Sequence, residues 1–588
     1  AIIKPKDQNM KFTRRQILSG PGAGLATAAL GIISFSSSKA YSSGTWDYES
    51  DVVVVGSGIG GATAAFKANQ NQDSVIVVEK AAFFGGTSMK TAGVIWVPNN
   101  FSLRDKGIKD SKKECIQLLA RHSYPEQYNA ESENLGLTTA AYAMLEAFYD
   151  NAYQAADELK DQGGLRLAEW RMFGTDRDTT DYLDHVSENK TPHGRALGVL
   201  NESGQSGTGG DLMAQMEAAL IKQRVPILLE HAAEKLVLDN NGRVIGIEAM
   251  SKGKTVSIRA IKGVIFASGG YAHNTKSIAA YQRNNIYGSC SMPSATGDFI
   301  DIASAAGARL GNLSGAWRSQ VVLEESLDSR VLGGGVFYPP GDSMIQVNKY
   351  GVRAVNEHRN YNDRTEVHGI FDSTNAEYTN QLMFMVYDRR TAEAFSSVYP
   401  MPADSNDAPY VIKGDSLADL SKNIDEKLAS IADKTGNVRL NSAFSKNLKS
   451  TITSFNKFAR AGIDKDFSRG KAKYDTEWHP TFSPMNPDSP WPANNKPSIT
   501  MHPFKGQGPY YAIILAAGAL DTNGGPVIDH QARVMSRDDK PIPGLYGTGN
   551  CIASPSKEAY WGAGCPLALS MTFGYIAANA ANKDVSGA

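Results

Sequence analysis

A run of four valines, Val52–Val55, leads straight into Gly56-Ser57-Gly58-Ile59-Gly60-Gly61, and that pairing suits one kind of chemistry, the holding of a phosphate. Gly56 allows a sharp turn off a strand, Gly58 lets the backbone approach a pyrophosphate, and Gly61 lets the following helix pack close to the strand, with Gly60 in the same loop. The N-terminus of that helix would face the phosphates with its positive end. Glu79, about two dozen residues past Gly56, is placed to accept from adenosine ribose hydroxyls, and Lys80 follows it.

These groups work only if the elements behind them form. The unbroken valines predict a buried parallel strand over 51–55. A helix is expected over 62–71 and a second apolar strand over 74–78, ending at Glu79. A lone glycine fingerprint says little; strand, loop, helix, strand and acidic end in register say much more.

Segments further along the chain point to FAD rather than a nicotinamide dinucleotide. Phe84-Gly85-Gly86-Thr87-Ser88 supplies small residues and hydroxyls where a flavin's diphosphate and ribitol need them. Val264-Ile265-Phe266-Ala267-Ser268-Gly269-Gly270-Tyr271 is another buried strand ending in glycines and resembles the A-T-G-G-[FY] element of flavoproteins. Near the C-terminus, Gly544-Leu545-Tyr546-Gly547-Thr548-Gly549-Asn550 reads as a strand closing on a glycine turn, and a helix from about Leu567 to Ala580 comes after it. Such a helix can aim its positive end at the isoalloxazine pyrimidine ring.

Composition narrows the alternatives. A chain of 588 residues implies at least two domains. Sixty basic against 61 acidic residues leave a net charge of −1, so no long-range field favours nucleic acid. The four cysteines form no C-x-x-C pair and have no histidine at ligand spacing, which argues against zinc, iron–sulfur and c-type haem. Thr13-Arg14-Arg15-Gln16-Ile17-Leu18, an Ala/Gly-rich apolar run over 22–35 and Ser38-Lys39-Ala40 resemble a twin-arginine export signal, with the residues before Met10 set aside. An exported, periplasmic protein is expected, cytoplasmic if that segment is not a signal, and in contact with a membrane at most peripherally.

With these elements placed, the chain resembles the fumarate reductase/3-ketosteroid dehydrogenase flavoprotein family from about Trp46 onward. The resemblance rests on G-S-G-I-G-G, Ala295-Thr296-Gly297-Asp298, Gly351-Val352-Arg353-Ala354-Val355-Asn356-Glu357, Gly508-Pro509-Tyr510-Tyr511-Ala512-Ile513 and Asn523-Gly524-Gly525. It implies a Rossmann-like α/β FAD-binding domain over 46–285 and 506–588, after a tail at 1–45. It also implies an inserted α+β substrate-capping domain over 286–505. Implied flavin contacts are Gly56, Gly58, Gly60, Gly61, Glu79, Lys80, Gly86, Thr87, Ser88, Ala267, Gly269, Gly270, Asp298, Gly549, Asn550 and Leu567.

The reductase branch clamps dicarboxylates with arginines and a histidine. At those places this sequence has Tyr361, Leu520-Asp521 and Tyr560, so a dianion loses its partners. Glu558-Ala559-Tyr560-Trp561-Gly562-Ala563-Gly564, with Met571-Thr572-Phe573-Gly574-Tyr575 after it, is instead similar to the 3-ketosteroid Δ1-dehydrogenase branch. By that resemblance Tyr560 and the Gly564 N–H hold a 3-keto oxygen, Tyr361 takes the C2 proton with help from Tyr182, and flavin N5 takes hydride from C1. Around the Gly564 position the branch's small residues and proline are replaced by Cys565-Pro566-Leu567, which puts Cys565 on the expected substrate floor. The implied partners are a steroid-like ketone and an external electron acceptor, a quinone or redox protein.

A phenol is a poor base alone, with a reference pKa of ~10, and becomes useful when a neighbour stabilises phenolate while a bound ketone acidifies the α-proton. The alternative is a fumarate- or urocanate-type ene-reductase using reduced FAD, which would need Arg359 or Arg364 in the pocket. A third reading is a flavin-binding module without turnover. His358, His368 and His502 have no ligand partner at useful spacing. The stretch from Gly414 to Glu477 reads as helices, one starting after Asp415-Ser416 and one amphipathic over 448–461.

Overall fold

The valine run takes the place its composition demands, the middle of a parallel sheet. A computed structural model describes residues 46–172 and 175–584, so the expected export segment lies outside the described residues. Strand β1 (Tyr48–Val55) is followed by helix α1 (Ile59–Gln70) and strand β2 (Val75–Val78), with Val52 opposite Val75 and Val55 opposite Val78 in parallel register. On its other side β1 pairs in parallel with β3 (Lys254–Phe266), Val53 opposite Val264 and Val55 opposite Phe266. Val52, Val53 and Val54 are fully buried, which explains why no polar residue alternates with them.

Helix α1 starts three residues before the expected 62, so Gly60 and Gly61 are helical residues rather than loop. A Cβ at Gly61 would lie 1.9 Å from the Gly56 carbonyl oxygen. Glycine here serves close helix–strand contact, at a cost of about 1 kcal/mol in helix propensity.

A second layer follows in the chain. It comprises β4 (Ala316–Val322), β5 (Met344–Val347), the short helix α2 (Tyr361–Thr365), β6 (Leu382–Asp388) and β7 (Val411–Gly414). Helices α3 (Leu417–Ser430), α4 (Phe444–Ala461) and α5 (Lys473–Phe482) come next, then β8 (Tyr510–Thr522). The strands form an antiparallel sheet in the order β4–β8–β6–β5, with β7 joining β8 beyond the end of β4. Helix α3 begins on a capping box, Ser416 Oγ accepting from Asp419 N and the Asp419 carboxylate accepting from Ser416 N, both at 3.1 Å. Its apolar face, Leu420, Ile424 and Leu428, packs with Leu448, Ile452 and Phe455 of α4 against this sheet.

Strand β8 lies past residue 505 yet belongs to this antiparallel sheet. At 13 residues it spans roughly 43 Å. Its last residues, Asp521 and Thr522, reach the glycines after β3: Gly270 N donates to Asp521 at 2.9 Å and Tyr271 N to Thr522 Oγ1 at 2.7 Å. The chain then returns to the first sheet with β9 (Pro541–Gly547), parallel to β3 with Leu545 opposite Val264, and ends in helix α6 (Cys565–Asn582). Helix α6 starts two residues earlier than expected because Pro566 fits a first turn, where its missing N–H is not needed.

Candidate active site

The first sheet holds a crevice outside the carboxyl ends of β1, β2 and β3, the place where open parallel sheets bind ligands. Gly56, Gly58, Gly60, Gly86, Thr87 and Ser88 line it, and so do Glu79, Lys80, Ala267, Gly269, Asp298, Gly549 and Asn550. The N-cap of α1 is Gly58, which offers no side-chain oxygen, so the N–H groups of the first turn have no side-chain acceptor there except Ser88 Oγ, 3.0 Å from Ile59 N. Such a start favours an anion.

Glu79 closes the β2 end. Its Oε2 accepts from Ser57 N at 3.0 Å and Ser57 Oγ at 2.7 Å, while Oε1 accepts from Ala81 N at 2.8 Å. One lone pair of Oε1 is left for a ribose hydroxyl. Lys80 forms a 2.7 Å ion pair with Asp298 and also donates to Thr296 Oγ1, which ties the wall shut. Uncapped N–H groups, hydroxyls and one acceptor-bearing carboxylate fit a dinucleotide diphosphate and its ribose.

Three expected flavin contacts are placed differently. Gly61 lies behind the crevice against Gly56, as its packing role requires. Gly270 gives its N–H to Asp521 and does not line the crevice. Leu567 lines a second cavity instead.

That second cavity, of about 240 Å³, adjoins the first and shares Thr87, Ser88, Asp521, Asn550 and Ser570 with it. Tyr182, Tyr361 and Tyr560, remote from one another in the chain, meet on its wall with ring centroids 5.3–5.7 Å apart. The three phenols and the Gly564 backbone lie close enough to act on one another's charge. Burial pushes all three phenols well above the ordinary value, so each is a neutral hydroxyl at rest. Against that, the bond from Tyr182 lowers Tyr361, and the bonds from Tyr361 and Gly564 lower Tyr560.

Each tyrosine is held by its own element. Tyr361 opens α2 beneath the cap Asn360, whose Oδ1 accepts from Asp363 N at 3.0 Å. Asn362 accepts from Arg318 N of β4 at 2.9 Å and donates to Glu558 O at 3.0 Å, binding the Tyr361 segment to the Tyr560 segment. Glu357, just before α2, is buried in ion pairs with Arg353 at 2.8 Å and Arg469 at 3.3 Å, so the Asn-Glu pair of the sequence motif is structural. Tyr182 is fixed through its neighbours, Arg359 donating to Tyr182 O at 2.8 Å and Trp478 of α5 to Thr180 O at 3.1 Å. Gly564, at φ +90° before α6, sits where a Cβ would be 2.2 Å from Val94 O. Only glycine fits that backbone.

The arginines do not enter. Arg364 is buried and spends its guanidinium on Gln320 and on backbone carbonyls, while Arg359 pairs with Asp475 at 3.3 Å and Asp184 at 3.6 Å. Neither lines the cavity. Cys565, expected on the substrate floor, is fully buried behind it, with burial raising its thiol to about 12. His358 and His368 are buried and held neutral, His368 lowered to about 4. Among the described residues no His/Cys/Asp/Glu group could hold a metal.

Other participants were not singled out from the sequence. Trp170, Trp317, Phe337, Trp478 and Phe482 give the cavity its apolar wall. Trp317 Nε1 donates to Asn550 at 2.9 Å, Asn550 donates to Asp521 at 3.2 Å, and the Trp317 ring stands edge-on to Tyr560 at 5.6 Å. Asp521 is buried between the two cavities, and burial raises its carboxyl to about 6. Its position in place of the reductases' histidine was the one signal available; for Trp317 no local pattern existed.

Fold and site together define a flavoenzyme. Residues 51–567 match the FAD binding domain family, and the chain belongs to it, with FAD as its cofactor. The chain is 29% identical to the 4-oxocyclohexanecarboxylate 2-dehydrogenase of Sinomonas cyclohexanicum, over 90% of this chain and 92% of that one. It is also 29% identical to the 3-oxosteroid 1-dehydrogenase of Mycolicibacterium smegmatis, over 90% and 96%. The structure superimposes on the 3-ketosteroid Δ1-dehydrogenase of Sterolibacterium denitrificans, solved with 1,4-androstadiene-3,17-dione, with a TM-score of 0.73, 25% identity and coverage of 91% and 99%. The chain is an FAD-dependent oxidoreductase related to the 3-ketosteroid dehydrogenases.

Proposed function

We propose that this chain dehydrogenates a cyclic ketone, a 3-ketosteroid or similar ring, at the carbon–carbon bond beside the carbonyl. The observation that carries the reading is the meeting of Tyr182, Tyr361 and Tyr560, ring centroids 5.3–5.7 Å apart, with Gly564 on the wall of an apolar cavity that no arginine lines. Tyr560 donates its O–H to the ketone oxygen, and the Gly564 N–H supports the charge that develops there, directly or through Tyr560. The polarised ketone acidifies the adjacent C–H, and Tyr361, once it has lost its own proton to solvent, receives that proton as phenolate and returns to the neutral phenol. Burial opposes a charged Tyr361, and its neighbour Tyr182, which acts in the lowering direction, has to offset part of that penalty. The aromatic wall keeps water out and holds the ring flat against the crevice shared with the cofactor site. When bound, FAD supplies the two-electron oxidising power, with N5 as hydride acceptor.

Within this reading the segment 286–505 caps the site, an external quinone or redox protein reoxidises the enzyme, and the Arg14-Arg15 segment directs export. The test of the reaction is anaerobic bleaching of the bound flavin by a saturated-ring 3-ketosteroid or a monocyclic ketone, with a dye as acceptor for turnover. Flavin that ignores both ketones, yet is reoxidised by fumarate after chemical reduction, would sink the proposal. A fumarate-type reductase needs arginines on its dicarboxylate, and Arg359 and Arg364 are both committed elsewhere.

A further inference from the structure

One polar feature of the aromatic cavity has no part in the tyrosine chemistry. Lys90 ends the 3₁₀ turn Gly86–Lys90, whose Thr87 and Ser88 line the floor shared with the cofactor crevice, and it faces the same cavity as Tyr361 and Tyr560. Among the described residues lining that cavity it is the one lysine or arginine.

Its partners leave its charge unbalanced. Nζ donates to the carbonyl oxygens of Leu332 at 2.9 Å and Ser291 at 3.4 Å, both neutral, and among the described residues it forms no ion pair with a carboxylate. Burial pushes the Lys90 ammonium below its usual value. Cys290, its titratable neighbour on the wall, is a thiol raised to about 12 and brings no counter-charge. Asp521, the acid lining this cavity, is engaged by Gly270, Thr522 and Asn550. A half-buried ammonium with two neutral acceptors and a third N–H to spare is a receptor for an anion.

Size points the same way. About 240 Å³ is below the roughly 300–1,000 Å³ of sites for drug-sized ligands, and the floor shared with the flavin crevice leaves less for substrate once the cofactor is in place. A larger polycyclic ketone would have to extend into the neighbouring cavity of about 730 Å³, which meets this one at Gly333, Gly334, Phe337 and Phe482.

We propose that the substrate is a compact cyclic ketone carrying a carboxylate, with the ketone at Tyr560 and the carboxylate on the ammonium of Lys90. The proposal rests on the cyclic-ketone reading above and specifies its substrate class. Lys90 contributes binding that is equal in ground and transition states, so its loss acts on KM more than on kcat.

The test uses the full-chain holoenzyme with 4-oxocyclohexanecarboxylate and its methyl ester, monitored by flavin bleaching and dye-coupled turnover. The native chain is expected to prefer the acid by about 10- to 100-fold in kcat/KM, the scale of one charge-assisted hydrogen bond. In Lys90→Met that preference collapses toward unity, mainly through KM, and Lys90→Arg restores most of it. As a readout apart from turnover, cyclohexanecarboxylate, which has no ketone, should bind the native holoenzyme in calorimetry and cyclohexanecarboxamide should bind at least tenfold more weakly. Equal use of acid and ester by the native chain, or an unchanged preference in flavin-loaded Lys90→Met, overturns the assignment. If the methionine variant fails to load flavin, the acid–ester and carboxylate–amide comparisons on the native chain decide alone. Should a 3-ketosteroid or the ester bleach the flavin and the acid not, the keto-acid assignment falls and the dehydrogenation reading stands; if none of them does, the dehydrogenation reading falls.

Discussion

The crevice and the cavity share five residues yet are built on opposite plans. The crevice is largely made of backbone: glycines and first-turn N–H groups with Glu79 at the β2 end, the core of it within residues 55–88. The cavity is made of side chains, with tyrosines on three segments and tryptophans on others brought together from positions 170 to 560. The backbone of the cradle tolerates no side chain at its turn, where a Cβ on Gly56 would lie 2.3 Å from Ala267 O and one on Gly61 1.9 Å from Gly56 O, whereas a side-chain wall can be altered one group at a time. The cofactor site is therefore expected to fail all at once and the substrate site by degrees.

The largest effect should come from the backbone side. Gly61→Ala drives a methyl group into the Gly56 carbonyl, a contact of 1.9 Å that only a shift of α1 relieves. The variant should lose about 1–3 kcal/mol of stability and most of its bound flavin, read as the ratio of flavin to protein absorbance.

Next comes Tyr361→Phe. Removing the proposed base should cost about 10²–10⁴ in turnover while flavin content stays native, which separates the two regions in one protein. Because burial holds Tyr361 above its ordinary value and the unprotonated form would be the active one, native kcat/KM should rise with pH and still be rising at about pH 9. A plateau near neutrality would assign the base to another group.

Asp521 probes the seam between the regions. Its folded value is raised, from 3.8 to about 6, so the stability it contributes is fully present below the unfolded value and is lost as pH rises through 6. Asp521→Asn stays neutral throughout. Between about pH 4 and 7 the stability gap should therefore move in the variant's favour by about 2–3 kcal/mol, measured by denaturant unfolding across that range.

The smallest change is Trp317→Phe, which removes the 2.9 Å bond to Asn550 but keeps most of the ring against Tyr560. Activity should fall about three- to tenfold, in line with one lost hydrogen bond of ~1 kcal/mol, with flavin retained. A loss as large as that of Tyr361→Phe would make the Asp521–Asn550–Trp317 series part of the proton chemistry.

Legibility in the sequence divided along the same line. Strand, loop, helix and acidic end of the cradle are local, and their spans come within three residues of those expected, the differences falling on the first residues of β1 and on the Ile59-Gly60-Gly61 start of α1. Ser416 marked the start of α3 for an equally local reason. Strand β8 was harder to read, because the sheet that claims a strand is chosen by its partners, β4, β6 and β7, which lie far away in the chain. Cys565 and Leu567 were harder to read for a related reason: at the start of a buried helix, about 100° of rotation per residue decides which side chain faces a cavity, and here Leu567 faces it while Cys565 does not.

The sequence by itself determined that this chain builds an FAD cradle, since the demands of a diphosphate on the backbone are met by residues close together and written as glycines. It also carried the absence of arginine at the clamp positions. Only the tertiary structure decided that Tyr182, Tyr361 and Tyr560 share one wall, that Arg359 and Arg364 turn away from it, and that Lys90 faces it without a counter-ion. Those are facts of side-chain direction and distance between remote segments, which packing fixes and local patterning does not.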